Sequence, residues 1–174
     1  EFLTYLHGTD FYTAPASTKY HGAREGGLLD HSLEVYEQLD MLLCMYEDND
    51  MLQNSISKGS VALCGLLHDI CKADFYATEL RNNKNEQGVW EKVPFYTIKD
   101  RYPLGHGEKS VIILQRFMQL SIDETLAIRW HMAGFDDVSS SYGGRQALSA
   151  AMDQCKLITL LHMADLAASN LMEV

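Results

Sequence analysis

The chain predicts an all-α domain with one small β-hairpin inserted, and three observations carry that prediction. Apolar residues recur at helical spacing in several stretches, as in Leu33, Val35, Tyr36, Leu39, Leu42 and Leu43. Residues 75–98 break that period with aromatic and β-branched residues on either side of a polar turn. The composition is globular: 47% of the 174 residues are hydrophobic and only three are proline, so a core can form and helix breakers are few. At this length one domain over residues 1–174 is the simplest expectation, with its motifs between about residue 20 and residue 170.

Taken in order, residues 1–20 show no clean period, and Tyr12-Thr13-Ala14-Pro15-Ala16-Ser17 reads as a loop. The pair Gly26-Gly27 allows a tight turn, after which a helix runs to about Asp48 with His31 in its first turn. A second helix spans 58–72: its apolar run Val61-Ala62-Leu63-Cys64-Gly65-Leu66-Leu67 closes on His68-Asp69-Ile70-Cys71-Lys72. Phe75-Tyr76-Ala77-Thr78 and Val89-Trp90 through Thr97-Ile98 then flank the turn-prone stretch 82–88, giving a hairpin that is either an exposed flap or a lid over a pocket. Pro103-Leu104-Gly105-His106-Gly107-Glu108-Lys109-Ser110 leads into a helix reaching Leu120, with His106 at the junction between two glycines. Ser121 and Glu124 form a capping box that opens the next helix, which ends near His131. A Gly/Ser/Asp loop over 135–144 precedes one long final helix from Gln146 to Met172.

Charge and cysteine usage narrow the function classes. A net charge of −10 argues against an extended nucleic-acid surface, which needs basic residues. It leaves room for a small phosphorylated substrate, because bound metal ions supply positive charge locally. Cys44, Cys64, Cys71 and Cys155 lie in apolar stretches without CxxC spacing, so they read as reduced thiols of a cytoplasmic protein and not as a zinc ribbon. No apolar run approaches a membrane span and no signal peptide is visible.

The chemistry concentrates on histidines and aspartates at helix ends. His68-Asp69 closes an apolar helix, where charged and imidazole groups are out of place unless something binds them. A hydrogen-bonded core pair would explain the doublet equally well when it is taken alone. On a helix Lys72 lies three residues past Asp69 and four past His68, on the same face. His31, His106 and His131 each stand at a helix end, and Asp165 sits alone among Leu160, Leu161, Ala164 and Leu166. A buried, unpaired carboxylate costs several kcal/mol, and no lysine or arginine lies within its helix turn. Four imidazoles and two carboxylates are too many for one tetrahedral ion and suit two adjacent ions, with Asp69 able to bridge.

The order His31, His68-Asp69, His106, His131, Asp165 resembles the HD-domain superfamily of metal-dependent phosphohydrolases, which are built on a bundle of helices. Gly26-Gly27-Leu28-Leu29-Asp30-His31-Ser32-Leu33-Glu34-Val35 is similar to the family's first-histidine helix, Leu66-Leu67-His68-Asp69-Ile70-Cys71-Lys72 to its doublet, and Met163-Ala164-Asp165-Leu166 to its closing aspartate helix. Cys71 stands where the family usually has glycine. The segments 103–110 and 129–134 resemble those of small stand-alone bacterial or phage HD proteins and of the HD domain in some exoribonucleases. The resemblance implies that His31, His68, Asp69 and Asp165 hold a first divalent metal ion and that His106 and His131 hold a second. Mn, Fe, Co, Ni and Zn all accept such donors.

The activity so implied is hydrolysis of a phosphate ester or phosphoanhydride, with a nucleotide as the expected substrate and a water bridging the two ions as the nucleophile. Asp69 and Lys72 are the expected catalytic residues, with Lys72 stabilising charge on the phosphoryl oxygens. Arg24, Lys109 and His21 are secondary candidates for phosphate contacts, although residue by residue a solvated surface cation is the favoured reading of Arg24 and Lys109, because most lysines and arginines are exposed. His162 reads as a packed, hydrogen-bonded histidine before it reads as a neighbour of the site, and Trp130 and Phe135 read as core or rim aromatics before a surface on which a base stacks. Two other activities share the donor order: a di-iron oxygenase of the myo-inositol oxygenase type, and an exonuclease-like HD nuclease. A binding module with a decayed site is disfavoured because all six donor positions are filled.

Overall fold

The computed structural model of the chain describes residues 1–46 and 56–172. Seven α-helices and one two-stranded antiparallel sheet make up the described residues. Among them no helix is long and apolar enough to cross a membrane.

A short helix, α1 (Phe2–His7), opens the chain where the sequence shows no period. It is held by Leu6, which is buried, and by Tyr5 against Phe117 at 4.8 Å between ring centroids. Helix α2 (Gly27–Met45) buries Leu28, His31, Val35, Leu39 and Leu43, a stripe at helical spacing. Its expected end near Asp48 lies outside the described residues. The glycine pair before it is required twice. Gly26 adopts φ 76, and a Cβ on Gly27 would stand 1.9 Å from the Gly22 carbonyl oxygen.

Helix α3 (Lys58–Leu67) starts at Ser57, whose hydroxyl accepts from the Ser60 amide. It packs on α2 where Gly65 meets Tyr36: an added Cβ would lie 2.6 Å from the Tyr36 Cα. Gly65→Ala is therefore expected to destabilise the protein by roughly 1–3 kcal/mol, the usual cost of overpacking, read as a lower melting temperature. The helix stops short of Lys72. Asp69 leaves helical geometry at φ −106, ψ 21, and Ile70–Lys72 form a single 3-10 turn. Asp10 and Asp74 then each accept a hydrogen bond from the other's amide, at 2.6 and 3.2 Å, fastening the N-terminal loop to this turn.

Strands β1 (Tyr76–Lys84) and β2 (Trp90–Ile98) form the hairpin, with Tyr76 opposite Ile98 and Lys84 opposite Trp90. They reach further into the polar stretch than the sequence indicates, because Asn85 closes the turn. Its side-chain oxygen accepts from the amides of Gln87 and Val89, and Gly88 takes φ 80.

Helix α4 (His106–Gln115) and helix α5 (Ile122–Trp130) follow, the latter with the expected capping box of Ser121 and Glu124. Two 3-10 turns, Ala133–Phe135 and Asp137–Ser140, occupy the expected loop. The expected long last helix is two helices, α6 (Tyr142–Gln154) and α7 (Lys156–Ala167), the second continuing into a π-helical turn at Ala168–Met172. Neither glycine nor proline marks the break. Cys155 is buried in extended geometry, φ −122, ψ 104, and the Lys156 ammonium donates to the Met152 and Asp153 carbonyls that α6 leaves unpaired. The redirected α7 turns Leu157, Ile158, Leu160, Leu161 and Ala164 into the core against α2 and α5.

Candidate metal centre

Four helix ends and one helix face deliver the polar side chains to a common point. His31 lies one turn into α2 and is fully buried. His68 caps the C-terminus of α3, and its Nδ1 lies 2.9 Å from the Gly65 carbonyl oxygen. His131 caps α5 in the same way, its Nδ1 2.7 Å from the Ile128 carbonyl oxygen. A carbonyl only accepts, so both Nδ1 atoms carry the proton and both Nε2 atoms present lone pairs. His106 opens α4. Gly107 next to it packs so tightly that a Cβ would stand 2.2 Å from the Arg129 carbonyl oxygen, which brings the start of α4 against the end of α5. Asp165 comes from α7.

Asp69, where α3 breaks, sits at the middle. Its Oδ2 lies 3.8 Å from His31 Nε2, 3.6 Å from His68 Nε2 and 2.7 Å from Lys72 Nζ, while its Oδ1 lies 3.6 Å from His131 Nε2. Asp165 Oδ1 stands 3.4 Å from His31 Nε2 and accepts from the Ser169 hydroxyl at 3.3 Å. The buried Nε2 atoms of His68 and His131 have no hydrogen-bond partner, a state that costs about 1–3 kcal/mol for each group. Spacings near 3.5 Å are too long for good hydrogen bonds and suit donors that each lie about 2 Å from a shared ion. Three donor groups meet this way, each within 4.8 Å: His31 with His68 and Asp165; His68 with Asp69 and His131; and Asp69 with Cys71 and His106. The donors present fit divalent metal.

Above them opens a cleft of about 1110 Å³. Asp69, Lys72, His106 and Asp165 lie on its wall, and Tyr20, His21, Met132, Phe135, His162, Leu166, Ser169 and Asn170 complete it. The sequence profile of the HD domain matches residues 28–166, well over half of the chain. The chain belongs to the HD-domain family. HD domains bind divalent metals and are generally metal-dependent hydrolases of the phosphohydrolase superfamily. No curated protein and no solved structure matches the chain significantly.

The electrostatics of this HD domain follow from burial set against charge. Burial pushes the Asp69 carboxyl up, but Lys72, His68 and His131 outweigh it and hold the group well below the usual carboxylate range. Asp165 is lowered in the same way, burial being overcome by His68, His131 and His31. For Lys72, burial works against the charge and the Asp69 carboxylate more than compensates, so the ammonium is held more firmly than usual. Burial alone dominates at His68, lowering its imidazole from 6.5 to about 4. Between those values the unfolded chain binds a proton at His68 that the folded, metal-free chain refuses. His68 therefore contributes nothing adverse above pH 6.5 and costs stability progressively as pH falls towards 4, by about 3 kcal/mol in all. The melting temperature of metal-free protein should drop across that window, and a flat profile would refute it.

Two of the candidate phosphate contacts are held elsewhere. Arg24 is exposed and pairs with Asp30 at 2.6 Å, outside the cleft. Lys109 is neither a phosphate contact in this arrangement nor a surface cation: it is 4% exposed, bonded to Asp100 at 2.7 Å, with its ammonium over the Phe75 ring. Its helix position could be read from sequence, but the acidic partner nine residues away could not. His21 does line the cleft, its ring 5.1 Å from that of His31. His162 is both packed and at the wall, donating from Nδ1 to the His131 carbonyl at 2.7 Å. Trp130 is buried beneath the Arg129 guanidinium and offers no face to a base, whereas Phe135 is exposed at the rim. No hairpin residue is among those lining the cleft, so the hairpin is a flap beside the site and does not cover it. Ser169 and Asn170 escaped the sequence reading because they reach the cleft from the π-helical turn, which a 3.6-residue period does not anticipate.

Proposed function

We propose that this HD domain hydrolyses a phosphate ester or phosphoanhydride of a nucleotide, with two divalent transition-metal ions, Mn or Fe before Co, Ni or Zn. The observation that carries the reading is the convergence of the partnerless Nε2 atoms of His68 and His131 on Asp69, with Lys72 on the same carboxylate at the cleft wall. His31, His68, Asp69 and Asp165 would hold one ion; Asp69, His106 and His131 would hold the other. Bound ions supply Lewis acidity towards a phosphoryl oxygen and lower the pKa of water at neutral pH.

The remaining work falls to the chain. Asp69 balances the charge of Lys72 until substrate arrives, and Lys72, which lines the cleft, stabilises negative charge that builds on the phosphoryl oxygens. His21, at the cleft wall with its ring 5.1 Å from that of His31, would donate to phosphate. Phe135 provides an exposed aromatic face at the rim, and Ser169 and Asn170 provide polar groups within reach of a sugar or base.

Phosphate release across a panel of nucleotides and dinucleotides, with Mn- or Fe-loaded protein, tests the reading. Release with at least one nucleotide is expected. Silence across the panel from protein with both ions bound would count against it, and oxygen uptake would then point to the oxygenase chemistry.

A further inference from the structure

The three histidines nearest Asp69 along the α3–α5 side are anchored in two different ways. His68 and His131 each end a helix, so each finds a carbonyl three residues back, Gly65 and Ile128, that accepts from its Nδ1. His106 begins a helix. No preceding helical turn exists to offer such a carbonyl, and its Nδ1 instead lies 3.2 Å from the Sγ of Cys71. Cys71 is itself buried and fixed: its amide donates to the Ser110 hydroxyl at 3.3 Å. The edge of the Phe75 ring backs the imidazole from another direction, 5.9 Å away between centroids.

We infer that Cys71 is a positioning residue for His106: Sγ accepts from Nδ1–H, fixes the tautomer, and so presents Nε2 towards Asp69 and the second metal ion. This rests on the reading of His106 as a metal donor. Partners that orient a ligating histidine typically govern metal affinity by about 10–100-fold. Sulfur is a weaker acceptor than a carbonyl oxygen, so the ion held through His106 is the weaker-bound of the two. The Cys71 contact sets that affinity, while the ion held through His31, His68 and Asp165 is independent of it.

Calorimetric titration of the metal-free protein with Mn, comparing wild type with Cys71→Ala, Cys71→Ser and His106→Ala, provides the test. Wild type should bind two ions of unequal affinity. Cys71→Ala should weaken the second by about 10–100-fold and leave the first unchanged. Cys71→Ser, whose hydroxyl also accepts, should recover most of the loss, which a purely packing role for the thiol would not produce. Melting temperatures of the metal-free variants identify any that are unfolded, and Cys71→Ser against wild type then serves as the comparison, with a shift confined to the weaker ion expected. Two wild-type affinities in Cys71→Ala, with one ion lost in His106→Ala, would overturn the inference and spare the metal centre. Unchanged binding in His106→Ala would overturn both. A thiolate-to-cobalt charge-transfer band in the Co-loaded protein, absent in Cys71→Ser, would make Cys71 a donor to the ion and overturn its positioning role.

Discussion

Asp69→Ala is expected to abolish phosphate release while the helices stay assembled. The residue is 4% exposed, and its two oxygens face three imidazoles and an ammonium. In the proposed assignment both ions would share it, so the second would lose its one carboxylate donor and the first would keep only Asp165. Breaking a buried ion pair ordinarily costs about 3–5 kcal/mol because a charge is left without compensation. Lys72 lines the cleft and its side chain is not fully buried, so the cost should not exceed that range. The core formed by Leu28, Val35, Leu39, Ile128, Leu157, Ile158 and Leu161 does not involve Asp69. Circular dichroism should show native helix content and elemental analysis reduced metal. Asp69→Asn, which keeps the volume and removes the charge, should be equally inactive. Turnover near that of wild type in either variant would remove Asp69 from the centre.

Lys72→Met should give the second-largest loss, in turnover and not in metal content. Methionine retains much of the apolar stem and deletes the charge. Losing one preorganised group that stabilises charge in a transition state costs about 10²–10³ in kcat, equivalent to about 3–4 kcal/mol. KM should change less, because the developing charge, not the bound ester, is what Lys72 meets. Asp69 would also lose the strongest of the charges that hold its carboxyl down, so its pKa should rise towards the usual range. A kcat within a few-fold of wild type would reduce Lys72 to a structural partner of Asp69.

The donor set was legible because polarity is conspicuous where periodicity predicts burial. His68-Asp69 closes an apolar helix and Asp165 interrupts another, and a reader needs only the 3.6-residue period to see that these side chains face inward. The hairpin was equally plain, since residues 76–98 change period and composition together. Helix α1 gave no such signal: six residues are too few to establish a period, and packing on Phe117 holds it.

Lys109 and Arg24 show the opposite limit. Side-chain type says that a lysine is usually exposed, yet Asp100 and Phe75 bury one, while an arginine beside the glycine turn is taken by Asp30. The break at Cys155 is likewise a tertiary event, with helical residues on both sides and no glycine or proline between them. It depends on where the inward face of α7 must point, not on the preference of any residue at the junction.

By itself the sequence determined the class of the fold, the helices that carry the histidines and aspartates, and their membership of one inward-facing set. Only the tertiary structure decided which donors meet: Asp69 among three imidazoles, Asp165 beside His31, and Cys71 on His106. The physical reason is that helical periodicity records which side of an element is hidden from water. Which atoms face each other across the core depends on crossing points set by close approaches such as Gly65 on Tyr36 and Gly107 on Arg129, and these are properties of pairs of segments.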